Sequence, residues 1–520
     1  MCVFALTFLS WTDNGLMDRS KVSLSQQTVT VGSGSDFLQL SLDDAPRGHL
    51  TDRLAGLLRA AIADARLPVG SRLPATRVLA ADLRVSRGVV TEAYRRLGED
   101  GLVTANGRGG TSVVAAPAIA TTAPRNAPTT TLRVGPGPRT ANPVLVVNPG
   151  TDIFDAMRSA PARIDLTPGV PDLAAFPRAA WLRAERTVLR ELSASSFGYS
   201  DPRGTPTLRA AVAEWLARYR GISADPGDVL IVAGVAQALV LLAQVLREGG
   251  TTAVAVEDPG SLGARQQLQS LGLRTPPIPV DADGLRVDLL RESAAETVML
   301  TPAHQFPTGA VLGGTRRRDL MDWAHTGGLI IEDDYDAEHR YDRRPVPALR
   351  AMLPEHVCYA GSVSKLLAPA LRIGWILAPA RYQDALVSAK RIADLGNPAL
   401  AQLTLAHLMR SGDLERHLRQ VRRQHQRRRD AMIHAIAKHL PAAVVHGAAA
   451  GLHLMITFDN AVDDVALAGA ALDRGVKTQP LTWHSQRAAR SGLALGYAAS
   501  TPSQITEAIA TLAEVLPNQQ

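Results

Sequence analysis

Apolar and polar positions along this chain follow two rhythms. Between residues 48 and 114 the apolar positions keep helical spacing: "LTDRLAGLLRAAIADARL" predicts one amphipathic helix, and "RLPATRVLAADLRVSRGVVTEAYRRLGEDGL" predicts two shorter ones with a tight break near Arg84 and Val85. Ser86 is placed to N-cap the second of these. Within it Val90, Ala93, Tyr94 and Leu97 recur at i, i+3, i+4 and i+7, so they are expected inside, and Arg87, Thr91 and Arg95 outside. Two β-prone runs follow, "LVTA" and "TSVV", joined by "NGRGG", whose glycines permit a tight hairpin carrying Arg108 at its tip. From about Ile164 the rhythm changes. Short apolar runs such as "VLIVAGV", "TAVAVEDPG", "TVMLTPA" and "GLIIEDDYD" alternate with helix-patterned stretches, as in a parallel sheet buried on both faces. Loops at the carboxyl ends of such strands are where these folds place their chemistry.

The organisation that follows has four parts. Residues 1–47 are a leader expected to be disordered, residues 48–114 a small helical unit with a hairpin, residues 115–160 a flexible linker, and residues 161–520 a large α/β body. The linker assignment rests on "AAPAIATTAPRNAPTTTLRVGPGPRTANPVLVVNPG", which is too poor in periodic apolar residues to order itself.

Charge sharpens this picture. The net charge of +7 comes from 56 basic and 49 acidic residues in 520, a mild excess. Residues 48–114 alone carry ten arginines, no lysine and six acids, so the excess concentrates there, and a basic helix, a turn and a Gly-rich hairpin together point to nucleic acid. The two cysteines, Cys2 and Cys358, suggest neither a disulfide framework nor a zinc site, which fits a reducing cytoplasm, and no metal is expected. The opening "MCVFALTFLSW" lacks a basic region and is too short to cross a bilayer, and no later apolar run is long enough.

The body carries a second chemistry. In "GSVSKLLAPALRIGW" a lysine, Lys365, sits among hydroxyls with Arg372 seven residues on; an amine able to form a Schiff base beside a guanidinium able to grip phosphate suits pyridoxal 5'-phosphate. "VLIVAGVAQALVLLAQVL" runs from a strand through Gly234 into a helix, which aims the free N–H groups of Val235 and Ala236 at an anion. In "IEDDYD", Asp333 is suited to keep a pyridine nitrogen protonated, and Tyr335, two residues along an extended chain, shares its side and reaches the ring oxygen.

Residues 48–114 resemble a GntR-type winged helix-turn-helix, through "LPATR", "VSRGVVTEAY" and "EDGLVTANGRGGT". The resemblance implies binding to a double-stranded DNA operator, with Arg77, Ser86, Arg87 and Thr91 at contacting positions and Asn106 and Gly107 on the wing. Gly88 departs from the pattern and leaves one base-reading position without a side chain.

The body resembles a fold-type I aminotransferase: a PLP-dependent transferase-like α/β fold, mostly parallel sheet with helices on both faces, plus a small C-terminal α+β subdomain. That likeness implies a Schiff base on Lys365, a ring-nitrogen contact from Asp333, a ring-oxygen contact from Tyr335, and phosphate held by Ser362, Ser364 and Arg372. It also matches Tyr199 to a tyrosine that reaches the neighbouring subunit's phosphate, hence a homodimer. Head, linker and body together resemble the MocR-type transcriptional regulators, with "HQFPTG" and "EDDYDAEHRYDRRPVPAL" especially close. The implied function is PLP-dependent regulation in response to an amine, an amino acid or PLP itself; the alternative is a genuine aminotransferase with an accessory DNA-binding head.

Three departures favour little or no turnover. Phe306 replaces an amide that would contact the ring oxygen, leaving His304 or Gln305 as substitutes; Ser261 stands where an aromatic usually stacks; and Leu493 takes the place of the arginine that grips a substrate carboxylate, with Arg487 or Arg490 nearby. Eight arginines in residues 410–430 are read first as a solvated basic helix, and second as a further DNA-contacting surface.

Overall fold

The computed structural model describes residues 42, 49–64, 66–105, 110–115, 145–336, 338–341, 347–459, 462–488 and 490–516. They fall into two compact units, a head and a body. In the head, helices α1 (Leu50–Ala63), α2 (Thr76–Asp82) and α3 (Arg87–Glu99) precede an antiparallel hairpin of β1 (Val103–Ala105) and β2 (Thr111–Val113). Leu54, Leu58, Ala61 and Ile62 of α1 meet Leu79 of α2 and Val90, Ala93, Tyr94 and Leu97 of α3 in one apolar core. The break between α2 and α3 is made by Arg84, whose φ of 53° turns the chain, and the Val85 N–H closes it on the Ala80 carbonyl at 3.0 Å. The Tyr94 hydroxyl donates to the Pro74 carbonyl at 2.8 Å, tying α3 to the approach of α2.

The body begins before the expected boundary. Helix α4 (Ile153–Ser159) lies in the stretch read as linker, yet Ile153, Met157 and the preceding Leu145 are buried in the body's core. A seven-residue helix carries too few periodic positions to stand out between prolines and glycines.

The strands of the body are β3 (Ile164–Asp165), β4 (Val229–Val232), β5 (Ala255–Asp258), β6 (Pro277–Asp281), β7 (Gly284–Leu285), β8 (Thr297–Leu300), β9 (Leu329–Asp334), β10 (Val357–Ser362), β11 (Gly374–Leu377), β12 (Ala443–His446), β13 (His453–Phe458), β14 (Val476–Lys477), β15 (Gln479–Pro480) and β16 (Gly492–Gly496). Eight of them form the main sheet in the order β4-β11-β10-β9-β8-β5-β6-β7. Its centre, from β10 through β9, β8 and β5 to β6, is parallel, while β11 runs antiparallel to both neighbours and β7 to β6. Uninterrupted apolar strands such as Val229–Val232 follow from this arrangement, because helices cover both faces. A smaller antiparallel sheet, β12-β13-β16-β15, packs with the helices Asp413–His439, Asp464–Asp473 and Pro502–Val515 as the C-terminal subdomain.

Candidate cofactor cleft and DNA-reading face

The acidic strand β9 divides its carboxylates by alternation. Glu332 accepts hydrogen bonds from the N–H groups of Leu349 and Arg350 at 2.9 and 3.0 Å. Asp334 accepts from Arg220 Nε at 2.5 Å and from the Tyr359 hydroxyl at 2.6 Å, a buried pair on the same side. Asp333 faces the other way, into a cleft of about 650 Å³ that Tyr335 also lines. Its Oδ1 is buried without a hydrogen-bond partner among the described residues. Burial first, then Asp334 and Asp336, push its pKa up to about 7, against the pull of Lys365.

Lys365 lines the same cleft and donates from Nζ to the Gly169 carbonyl. Burial holds its pKa below the ordinary lysine value, although Asp336 and Asp333 pull it back up. At another part of the cleft, Gly234 (φ 84°) caps the helix Val235–Glu248, and Val235 and Ala236 line the opening. A Cβ on Gly234 would lie 3.5 Å from Arg372 Nη1 and 3.8 Å from Ser364 Oγ, so the missing side chain leaves room for a small anion among them. Arg372 holds a left-handed conformation (φ 50°) at the end of a short turn, and Asn397 Nδ2 donates to its carbonyl at 3.1 Å. Among the described residues no carboxylate pairs with its guanidinium. Ser362 and Ser364 complete this end, the Ser364 N–H donating to Ser362 Oγ at 3.3 Å.

The structure therefore brings Lys365, Asp333, Tyr335, Val235, Ala236, Ser362, Ser364 and Arg372 to one cleft, with Gly234 against Arg372. Tyr199 stands apart, 95% exposed and outside the cleft lining.

Of the two substitutes for the missing amide, Gln305 is fully engaged: its Nε2 donates to the carbonyls of Pro259 and Phe306, and its Oε1 accepts from Thr308. His304 is the neighbour of Tyr335. Its Nδ1 lies 2.9 Å from Asp336 Oδ2, both side chains about 1% exposed, and since a carboxylate only accepts, Nδ1–H is the donor. The Tyr335 hydroxyl then donates to the His304 carbonyl at 3.1 Å. His453 packs 5.0 Å from the His304 ring, and the donor atoms of His304, Asp336 and His453 lie within 4.8 Å of one another. Phe306 lines the cleft edge-on to Tyr335, and Ser261 lines it as the N-cap of the helix Leu262–Ser270.

The placing of Leu493 at a ligand position requires correction. Leu493 and Leu495 point into the subdomain core. Ala494 is the residue opposite Gln479 in the β15–β16 register, and Gln479 lines the cleft. A shift of one residue along a strand exchanges its two faces. Arg487 pairs with Asp258 at 3.1 Å and Arg490 with Asp459 at 3.6 Å, and neither lines the cleft. Residues with no sequence motif do line it: Asp165, Thr167, Lys477 and His484.

On the head, Arg77, Ser86, Arg87 and Thr91 are exposed, as are Gly88 and Arg95. Arg87 Nε donates to Thr76 Oγ1 at 3.2 Å, and Arg95 is paired with Glu92 one turn back. Asn106, Gly107 and Arg108 lie outside the described residues. Of the eight arginines in residues 410–430, Arg428 is buried against Asp172 at 2.8 Å, Arg416 pairs with Asp413 and Arg429 with Asp430, while Arg419, Arg423 and Arg427 are exposed.

Comparison with known proteins follows the same division. Residues 162–512 match the family "Aminotransferase class I and II", and residues 50–113 match "Bacterial regulatory proteins, gntR family". The chain is 33% identical to the probable rhizopine catabolism regulatory protein MocR of Rhizobium meliloti, over 88% of this chain and 91% of that protein. It is 29% identical to the pyridoxine biosynthesis regulator PdxR of Corynebacterium glutamicum (92% and 98%), and 31% identical to the regulator TauR of Rhodobacter capsulatus (90% and 97%). Among solved structures, an archaeal alanine:glyoxylate aminotransferase superposes with a TM-score of 0.66 at 26% identity, covering 71% of this chain and 96% of the enzyme. The α-aminoadipate aminotransferase LysN of Thermus thermophilus, complexed with N-(5'-phosphopyridoxyl)-L-leucine, gives 0.64 at 27%, covering 71% and 95%.

Proposed function

The chain belongs to the MocR-type transcriptional regulators, a gntR-family head joined to an aminotransferase class I and II body, and from that premise we propose how its cleft and head work. The body binds pyridoxal 5'-phosphate on Lys365 and senses an amine, an amino acid or the cofactor itself, and the head reads a double-stranded operator.

The observation that carries this reading is Asp333 Oδ1, a buried carboxylate oxygen with no partner among the described residues, in the same cleft as a buried lysine. Buried polar atoms are almost always satisfied, so an orphaned acceptor facing a cavity marks the place of a donor on a ligand. Bound pyridoxal phosphate would supply an aldehyde for an amine and a ring that withdraws electrons. The chain's own residues do the rest. Burial keeps the Lys365 amine easier to deprotonate than a free lysine. Asp333 holds a proton at the ring nitrogen, and Tyr335, fixed by the His304 carbonyl, orients the ring oxygen. The N–H groups at Val235 and Ala236, with Ser362, Ser364 and Arg372, hold the phosphate.

The exposed Tyr199 and the MocR-type likeness support a homodimer in which each subunit contributes to its partner's phosphate site. Ala494 opposite Gln479 in the β15–β16 register, with Arg487 and Arg490 paired elsewhere, supports weak or absent transamination. Arg77, Ser86, Arg87 and Thr91 are the DNA contacts of the head, Asn106 and Gly107 those of the wing, and a DNA-bound regulator works in the cytoplasm. Among the described residues no helix is long and apolar enough to cross a membrane. A ligand changes DNA binding only through unequal affinity for two conformations, so the effector must bind them unequally.

The test is the absorbance spectrum of the purified chain supplied with pyridoxal 5'-phosphate. A visible band that Lys365→Ala abolishes is expected. A folded dimer that stays colourless overturns the reading, and rapid turnover of an amino donor with a keto acceptor overturns the non-enzymatic part.

A further inference from the structure

Lys477 is the least explained charge in the cleft. Its side chain is 6% exposed, and its one ion pair, to Asp165 Oδ2, is long at 3.7 Å. Asp165 has another engagement: its Oδ1 accepts from the N–H and hydroxyl of Thr167 at 2.9 and 2.6 Å. Among the described residues the Lys477 ammonium makes no hydrogen bond, although it carries three donors. With its three N–H groups unengaged among the described residues, an ammonium on the cavity wall is placed to meet an anionic group of a ligand.

The backbone shows where that ligand would sit. Lys477 and Gln479 are two apart on consecutive short strands, and both line the cleft. Ala494, fully buried, is Gln479's partner in the β15–β16 register, so the strand beside this wall contributes no cation of its own there. The other cation lining this side, Arg158, is 71% exposed and already paired with Asp155.

We infer that Lys477 anchors an acidic group of the effector, so that the ligand class is a primary amine bearing an oxyanion, carboxylate or sulfonate, at its other end. This rests on the proposed function, in which Lys365 and the cofactor receive the amine; Lys477 then sorts acid-bearing amines from plain ones.

The test uses four probes with a common skeleton: ethylamine, and its acid-bearing counterparts L-alanine, β-alanine and taurine. Each is titrated into the cofactor-loaded full-length chain while the visible absorbance and the heat of binding are followed. At least one acid-bearing probe is expected to bind roughly tenfold or more tightly than ethylamine, as for one charge-assisted hydrogen bond. Lys477→Met should remove that margin with ethylamine affinity unchanged, and Lys477→Arg should keep part of it. The three acids separate α-carboxylate, β-carboxylate and sulfonate. The inference is overturned if no acid-bearing probe exceeds ethylamine, or if the margin survives in Lys477→Met. If Lys477→Met does not fold, Asp165→Asn decides: removing the competing carboxylate should widen the margin, and an unchanged or smaller one overturns the inference. Absence of a visible band in the wild type counts against the cofactor instead, and calorimetry still reads the margin.

Discussion

Replacing Asp333 by asparagine should stabilise the cofactor-free protein while weakening its hold on the cofactor. The side chain is buried, one of its oxygens has no partner among the described residues, and its pKa stands near 7 against an ordinary 3.8. At about 1.4 kcal/mol per pKa unit, the ionised form costs up to ~4 kcal/mol, which bounds the gain of the asparagine variant. The sign follows from linkage. The folded state holds a proton on Asp333 more tightly than the unfolded state does, so wild-type stability rises as pH falls below about 7 and the cost is fully present above it. Asparagine does not titrate. The advantage of Asp333→Asn should therefore be largest near pH 8.5 and should shrink by roughly 1.4 kcal/mol for each pH unit below about 7, until the ordinary carboxylate range is reached. The assay is denaturant unfolding of cofactor-stripped wild type and variant from pH 5 to 8.5, repeated with saturating pyridoxal 5'-phosphate. A variant less stable than wild type at pH 8.5, or an advantage independent of pH, would refute the view of Asp333 as an uncompensated buried acid. Equal stabilisation of both proteins by the cofactor would refute its role at the ring nitrogen.

Other outcomes follow from the same geometry. Arg220→Met leaves Asp334 buried with, among the described residues, only the Tyr359 hydroxyl, and should cost about 3–5 kcal/mol in urea unfolding of the body; a loss below about 1 would show that the pair is dispensable. Asp336→Ala removes the larger of the two charges that hold a proton on Lys365, so the pH dependence of cofactor capture should move to lower pH, whereas a shift upward or none would contradict the electrostatics of the cleft. Arg87→Ala should weaken binding to a duplex selected by the full-length chain by about 1–3 kcal/mol at fixed salt, with the loss concentrated at one base pair; an equal loss on every sequence would reassign the residue to a phosphate.

Much of the cleft was legible because the chain announces it in strand periodicity. The alternation within "IEDDYD" separates Asp333 and Tyr335 from Glu332 and Asp334, and it holds because β9 is flat enough for a period of two. The helical stripe Val90, Ala93, Tyr94 and Leu97 likewise set the outward face of α3. What stayed hidden depends on register or on long-range pairing. Ala494 and Leu493 differ by one position, and only the pairing with β15 shows which of them shares a face with Gln479. The His304–Asp336 pair joins residues 32 apart, and Lys477 and Asp165 meet through the β3–β14 pairing. Helix α4 escaped because packing against the subdomain, rather than its own short pattern, makes it a helix.

On the proposed function, one cleft couples amine binding to DNA binding. This coupling is tested most directly by titrating β-alanine and ethylamine into a single sample of the cofactor-loaded full-length chain with a selected, fluorescently labelled duplex, and reading absorbance and anisotropy together. An effective amine should move both signals with one midpoint, and Lys365→Ala should abolish the response of DNA affinity while leaving DNA binding itself intact. A DNA affinity that ignores amines which plainly change the absorbance, or that still responds in Lys365→Ala, would contradict it.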